Sequence, residues 1–191
     1  MTPFEPLLGL PAKGLAEVMQ EALAQGESDA GDLCADGRGW LWHGLALATP
    51  EPLFRLVGKF GKAFEPDPET GGATLRGWNV RMRQRKDERW EPLTIRDRQV
   101  TYGRYRLDPA PAGPEAPHPG ALLIDYGGGA NRPWDPLGLV RDYIVMLEPG
   151  LWLGHMYVEL GLPGPLARVL APRTIATPSW FALARGAPLP G

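Results

Sequence analysis

The sequence predicts a mainly β protein, an antiparallel barrel of about eight strands with an N-terminal helix and a short second helix. Short extended segments follow one another without the regular helix alternation of a parallel sheet. The 25 Gly and 22 Pro supply many turns, while seven Trp and a 43% hydrophobic content suffice for a core. Residues 139–160 are typical of a β-hairpin. A closed barrel of this size leaves no exposed sheet edge and holds one small ligand.

The chain is predicted to begin with a helix. Over residues 11–26, Leu15, Val18, Met19 and Leu23 recur at three- or four-residue spacing, and glycine ends the pattern. Residues 51–60 contain the apolar Leu53, Phe54, Leu56 and Val57, and Pro52 suits a first helical turn, which predicts the short second helix or a lid. We therefore expect a single domain in which residues 1–38 form the helix and a loop, 39–185 the barrel and 186–191 a tail.

The strands are assigned to segments of alternating or aromatic residues bounded by turn residues. They are residues 40–47, 73–83, 90–95, 99–108, 121–126 and 179–185, together with the two strands of the hairpin. Residues 109–120 contain too many prolines to join a ladder and are predicted to form a surface loop.

The hairpin predicts two different faces, because strand side chains alternate. Pairing about Pro149-Gly150 combines odd-numbered residues of the first strand with even-numbered residues of the second, among them Tyr143, Val145, Trp152, Gly154 and Met156. The opposite face then carries Asp142, Ile144, Met146, Leu153, His155 and Tyr157, with Asp142 opposite Tyr157 and hydrogen-bonded to it. Either face is a candidate lining of the lumen, and with Trp152 and Met156 inward His155 is excluded from it.

Composition narrows the class of protein. The formal net charge is −2, and the lone Cys34 excludes an internal disulfide. No apolar run approaches the roughly 20 residues of a membrane span, and the N-terminus lacks a signal-peptide pattern, so a cytoplasmic protein is expected. The three histidines, His43, His118 and His155, lack metal-ligand spacing, so no metal site is expected. His118, between two prolines, is expected to be solvated.

Several motifs resemble two bacterial families. Trp42-His43-Gly44, Pro52-Leu53 and Gly61-Lys62-Ala63-Phe64 resemble the start of the family named for its Gly-x-Trp-x-Gly (GXWXG) motif. Leu123-Ile124-Asp125-Tyr126, Arg141-Asp142, Leu153-Gly154-His155-Met156 and Trp180-Phe181-Ala182-Leu183 are similar to the DUF4334 domain that often follows it. The resemblance implies a calycin barrel, related to lipocalins and nitrobindins, which bind apolar ligands or haem. It brings no established catalytic residues.

The function predicted from these features is non-catalytic binding of a small hydrophobic or lipid-like molecule in the barrel. The candidate ligand-binding residues are Trp42, His43, Lys62, Phe64, Trp78, Tyr102, Met146, Leu153, His155 and Tyr157. No cofactor is expected, with haem on His155 as an alternative. A second hypothesis is an isomerase or cyclase on the same barrel, with His155 or Tyr157 and Asp142 as acid and base.

A third hypothesis is a nucleic-acid-binding module. Residues 76–106 contain ten of the 20 Lys and Arg residues against four acidic residues, with Trp78, Trp90, Tyr102 and Tyr105 among them. Basic residues with interleaved aromatics can bind single strands by phosphate contacts and stacking. We do not expect nucleic acid as the partner, because the whole chain is slightly acidic and solvated outer strands explain the pattern more simply. The chain's oligomeric state is left open.

Overall fold

The computed structural model describes residues 2–26, 28–48, 58–85, 89–113, 116–160 and 173–189. The N-terminal helix is confirmed as α1, Ala12–Gln25. The strands that follow are β1 Trp40–Ala46, β2 Lys59–Pro66, β3 Leu75–Arg81, β4 Thr94–Ile95, β5 Arg98–Gln99, β6 Thr101–Pro109, β7 Leu122–Asp125, β8 Val140–Glu148, β9 Leu151–Leu160 and β10 Arg173–Pro188. Of the second helix predicted over residues 51–60, residues 51–57 lie outside the described residues, and the prediction was wrong at its end, because Lys59 and Phe60 belong to β2.

The predicted antiparallel barrel is confirmed. Within the described ranges, eight strands close in the order β1-β10-β9-β8-β7-β6-β3-β2, and every pairing is antiparallel. This architecture matches that of a calycin-like barrel. Two assignments were wrong. β2, which contains Lys62, was missed as a strand, and residues 90–95 contribute only β4, which pairs with β5 in a small separate hairpin.

The predicted hairpin exists as β8 and β9, but its predicted faces were wrong. Glu148 pairs with Leu151 at the turn, as expected, whereas a bulge at Leu147 shifts the register so that Met146 pairs with Trp152. A shift of one residue moves every side chain to the opposite face. Asp142 therefore pairs with Met156 rather than Tyr157, and these two side chains face the lumen.

Two apolar layers hold the barrel. The inner layer fills one half of the lumen with large buried side chains: Trp42, Phe64, Tyr105, Ile124, Trp152 and Leu183. The outer layer packs α1, through Leu15 and Met19, against the outward side chains of β8, β9 and β10. The helix thus covers the outside of the barrel and leaves the lumen to the strands.

Residues 30–34, between α1 and β1, close the filled end of the lumen. A 310 turn, Ala30–Leu33, places Leu33 in the inner layer, and the Leu33 carbonyl accepts a hydrogen bond from the Trp42 indole at 3.1 Å. The Asp32 carboxylate accepts hydrogen bonds from the Trp152 indole at 2.8 Å and from the Gly150 amide at 3.1 Å, and pairs with Arg185. We call this segment the plug.

Candidate functional site

A lysine lies inside the barrel. Lys62 points inward from the middle of β2 and is 2% exposed. Its ammonium group donates hydrogen bonds to Asp142 Oδ2 at 3.0 Å, Asn79 Oδ1 at 3.1 Å and the Tyr126 hydroxyl at 2.5 Å. An ammonium group has three donors, so all of them are used. We call Lys62, Asn79, Tyr126 and Asp142 the polar cluster.

Aromatic rings surround the same ammonium group. Its nitrogen lies 5.0 to 5.8 Å from the ring centroids of Phe60, Tyr105, Tyr126 and Phe181. Burial lowers the pKa of Lys62, while the adjacent Asp142 carboxylate acts in the opposite direction. The ion pair and the ring faces therefore replace part of the solvation that the lysine loses in the lumen.

The opposite charge is supplied by Asp142, which is 4% exposed. Its Oδ2 accepts from Lys62 and lies 3.3 Å from the Tyr126 hydroxyl. Burial, reinforced by the Asp142 charge, raises the pKa of Tyr126 well above its ordinary value, so the phenol keeps its proton. Asp142 Oδ1, in contrast, is buried without a hydrogen-bond partner in the described residues. A buried, unpartnered acceptor of this kind costs about 1–3 kcal/mol.

A cavity of about 270 Å3 lies beside the polar cluster, at the end of the barrel opposite the plug. All four members of the cluster border it, and the rest of its wall is mostly apolar, with Ala46, Phe60, Leu137, Val140, Met156 and Phe181. Its volume is just under the roughly 300–1,000 Å3 typical of ligand pockets. The arrangement can therefore hold a compact apolar molecule beside a residue, Asp142, whose Oδ1 has no hydrogen-bond partner among the described residues.

Three of the residues predicted from the sequence border this cavity: Lys62, Tyr102 and Asp142. Three more lie in the filled half of the lumen, where Trp42 and Phe64 are fully buried and Met146 packs beside Trp152.

The remaining predicted residues lie on the outside of the barrel. Trp78 faces outward from β3, and His43 faces outward from β1 and stacks on Trp90 at 5.1 Å. Leu153 and Tyr157 belong to the outer layer beneath α1. His155, paired with Tyr143 on β8, also faces outward. The alternative haem site and two of the three residues of the enzyme hypothesis are thus separated from the cavity by the barrel wall.

The outer layer contains a buried pair of histidines. His155 stacks on Trp180 at 3.8 Å, and its Nε2 donates to the Thr177 carbonyl at 2.8 Å. The expectation that His118 is solvated was wrong, because it is 6% exposed and its Nε2 is hydrogen-bonded to the Tyr157 hydroxyl at 2.9 Å. Burial and the neighbouring His155 lower the pKa of His118 to about 4. Both rings are therefore neutral at pH 7.

Sequence reasoning missed two members of the polar cluster, Asn79 and Tyr126. Asn79 lies on β3 directly opposite Lys62 of β2. If β2 had been recognised as a strand, the alternation of side chains from Gly77 would have placed the Asn79 side chain in the lumen with that of Lys62. Tyr126 directly follows β7, where the glycines after it suggested a turn. The Tyr126 side chain continues the inward face of Leu122 and Ile124, which period-two alternation could have indicated.

The aromatic residues of the basic segment 76–106 do not share one surface. Tyr105 is buried in the lumen, Tyr102 borders the cavity, and Trp90 packs between Phe4 and His43. Trp78 alone lies on the outer face of β3. A row of stacking platforms, the feature that recommended single-stranded nucleic acid, is therefore not formed by these four residues.

A function for this chain has to be argued from its fold and its site, because comparison with known proteins found no match. No family model, curated protein or solved structure matches this chain. The resemblance to the GXWXG and DUF4334 families accordingly stays a prediction. No helix in the described ranges has the length and apolar character needed to cross a membrane.

Proposed function

We propose that this protein binds a compact, largely apolar molecule carrying a hydrogen-bond donor, in the cavity beside the polar cluster. The observation that carries the proposal is Asp142 Oδ1, a buried carboxylate oxygen that has no hydrogen-bond partner among the described residues and belongs to a residue bordering an apolar cavity. A hydroxyl or N–H group on the ligand would satisfy this oxygen. The apolar wall would supply the rest of the affinity through burial of the ligand's surface.

The size and charge of the site restrict the ligand further. At about 270 Å3 the cavity favours a molecule of one or two small rings, or a short branched chain, over a long acyl chain. The Lys62 ammonium uses its three donors within the cluster, which disfavours an anionic head group as the main contact. The Asp142 oxygen makes a neutral donor or a cation the better match.

A matched pair of probes tests the proposal. Indole and benzothiophene have similar shapes, but only indole has an N–H donor. A hydrogen bond to a charged group is worth about 1.5–3 kcal/mol. We expect indole to bind at least about tenfold more tightly than benzothiophene in calorimetry, since about 1.4 kcal/mol is a factor of ten. Equal affinities for the two probes, or no binding of either, would contradict the proposal.

Two variants locate the binding. Val140→Phe adds volume at the cavity wall without altering the polar cluster and should abolish indole binding. Leu8→Phe adds the same ring at an exposed position outside the barrel and should leave affinity unchanged. Retention of indole binding by Val140→Phe would place the site elsewhere.

A further inference from the structure

The end of the barrel that holds the cavity mouth is apolar on its outside. Seven large apolar side chains are exposed in the described residues, and all except Leu8 belong to the connections or strand ends at this end of the barrel. Ile95 and Tyr102 lie in or just after the β3–β6 connection, and Trp134 and Leu139 in the β7–β8 connection. Leu160 ends β9 and Ile175 begins β10. Exposed apolar residues gathered in this way mark an interaction surface.

The same end carries unpaired positive charge. Arg81, Arg96, Arg98, Arg132 and Arg173 are exposed, and none makes an ion pair with a described residue. Among the described acidic residues nearby, Asp97 is exposed between Arg96 and Arg98, and the others are engaged elsewhere. Glu91 pairs with Arg83 and Arg85, Glu159 pairs with Arg141, and Asp135 caps a 310 turn.

The β4–β5 hairpin combines both properties at a projecting tip. Residues 94–99 are all exposed, and Ile95, 61% exposed, is followed by Arg96 and Asp97 with φ of 50° and 60°. These angles form a tight two-residue turn of the kind that suits a hairpin. Left-handed conformations are costly for residues other than glycine. The tip thus holds the apolar Ile95 next to Arg96 and opposite Arg98 on the paired strand, with Asp97 in the turn between the two arginines.

We propose that the mouth end of the barrel docks on an anionic lipid surface, with Trp134, Leu139 and Ile95 at the headgroup boundary and the arginines on the headgroups. Tryptophan is favoured at this boundary because its ring is amphipathic. Basic residues near such a surface gain from its negative potential. The proposal does not depend on the ligand in the cavity.

Other occupants fit the surface less well. A symmetric contact with a second copy would bring the same unpaired arginines together, which is repulsive. Nucleic acid would use the arginines but leave Ile95, Leu139, Leu160 and Ile175 without a role, since stacking needs aromatic rings. An anionic bilayer accepts both the aliphatic and the basic residues.

Vesicle flotation of the full chain tests the docking. The probes are vesicles of phosphatidylcholine with one quarter phosphatidylglycerol, and vesicles of phosphatidylcholine alone. We expect binding to the anionic vesicles, at least tenfold weaker binding to the zwitterionic ones, and loss of binding at high salt as the charges are screened. Absence of binding to the anionic vesicles overturns the proposal.

Substitutions at exposed positions test which residues of this surface contact the vesicles, and they carry little risk to folding. Circular dichroism checks that each variant is folded. Arg96→Gln/Arg98→Gln should weaken vesicle binding by roughly fivefold per arginine. Trp134→Ser/Leu139→Ser should weaken it and remove the blue shift of tryptophan emission on binding. Lys13→Gln, on the 87%-exposed Lys13 side chain of α1, is a single-charge control away from this surface and should bind as the parent protein does.

Two further measurements separate the other occupants. Tighter binding to single-stranded oligothymidine than to the anionic vesicles, lost in Arg96→Gln/Arg98→Gln, would assign the surface to nucleic acid and refute the proposal. A dimer in sedimentation that Trp134→Ser/Leu139→Ser dissociates would assign it to self-association and refute it equally. A monomer that prefers the anionic vesicles supports it.

Discussion

Replacing Lys62 by methionine removes one partner of the buried ion pair and keeps most of the side-chain volume. The buried Asp142 carboxylate would then lose its cation, and the Tyr126 hydroxyl would be left as the donor to its Oδ2. Breaking a buried pair in this way costs about 3–5 kcal/mol. For a chain of this length, 1 kcal/mol lowers Tm by roughly 2–4 °C, so the expected decrease is roughly 6–20 °C.

The double variant Lys62→Met/Asp142→Leu gives the sharper measurement. Without either charge, Asn79 and Tyr126 still satisfy each other, since the Asn79 amide donates to the Tyr126 hydroxyl at 3.1 Å. Replacing a buried ion pair by apolar residues of similar volume is often neutral or stabilising. We therefore expect the double variant to regain most of the stability that Lys62→Met loses.

Urea unfolding at pH 7.5, followed by tryptophan fluorescence, measures both effects. Lys13→Met is the control, because the Lys13–Glu17 pair is exposed and its nitrogen and oxygen are 3.8 Å apart. Exposed pairs contribute about 0–1 kcal/mol. A loss below about 1 kcal/mol for Lys62→Met, or a double variant less stable than Lys62→Met, would refute the assignment of Asp142 as a charge balanced by Lys62.

Three further predictions concern other parts of the molecule. His118 has a folded pKa of about 4 against 6.5 when unfolded, so the unfolded chain binds the proton first and stability should fall between pH 6.5 and 4, by at most about 3 kcal/mol. His118→Gln should flatten this decline in urea titrations at pH 7 and 4.5; an unchanged slope would contradict it. Gly77→Ala should destabilise by about 1–3 kcal/mol, because a Cβ there would lie 2.0 Å from the Ala63 carbonyl oxygen, whereas Gly138→Ala has open space and should not. Burial raises the pKa of Cys34 to about 11, so its thiol should react with a disulfide reagent only on unfolding, and rapid reaction of the folded protein would refute this.

The sequence predicted the elements whose side-chain pattern is local. Helix α1 has a clean spacing of apolar residues and ends at Gly26, and the β8–β9 hairpin has two alternating strands about Pro149-Gly150. The faces of the hairpin could not be read in the same way. The bulge at Leu147 leaves no mark in the alternation, yet it reverses the faces of one strand relative to the other, so that Asp142 and Met156 share the inner face.

The candidate site was predicted in part. Lys62 and Asp142 were singled out separately, 80 positions apart in the chain, and no local pattern relates them. β2 was missed because Gly61, Lys62, Ala63 and Phe64 are all buried, which leaves no alternation between an apolar and a polar face. The polar cluster arises from the closure of the barrel, which brings β2, β3, β7 and β8 around one volume.

Among the described residues, the plug fills one end of the barrel, and the cavity lies at the other end. Asp32 ties the plug to Gly150, Trp152 and Arg185, so it is held by the barrel's own strands. In the part of the chain that the structure describes, the lumen is consequently a blind-ended cup, closed at the plug and holding the cavity at its other end. Release of the plug would convert this cup into an open tube and expose the buried indole rings of Trp42 and Trp152 to water.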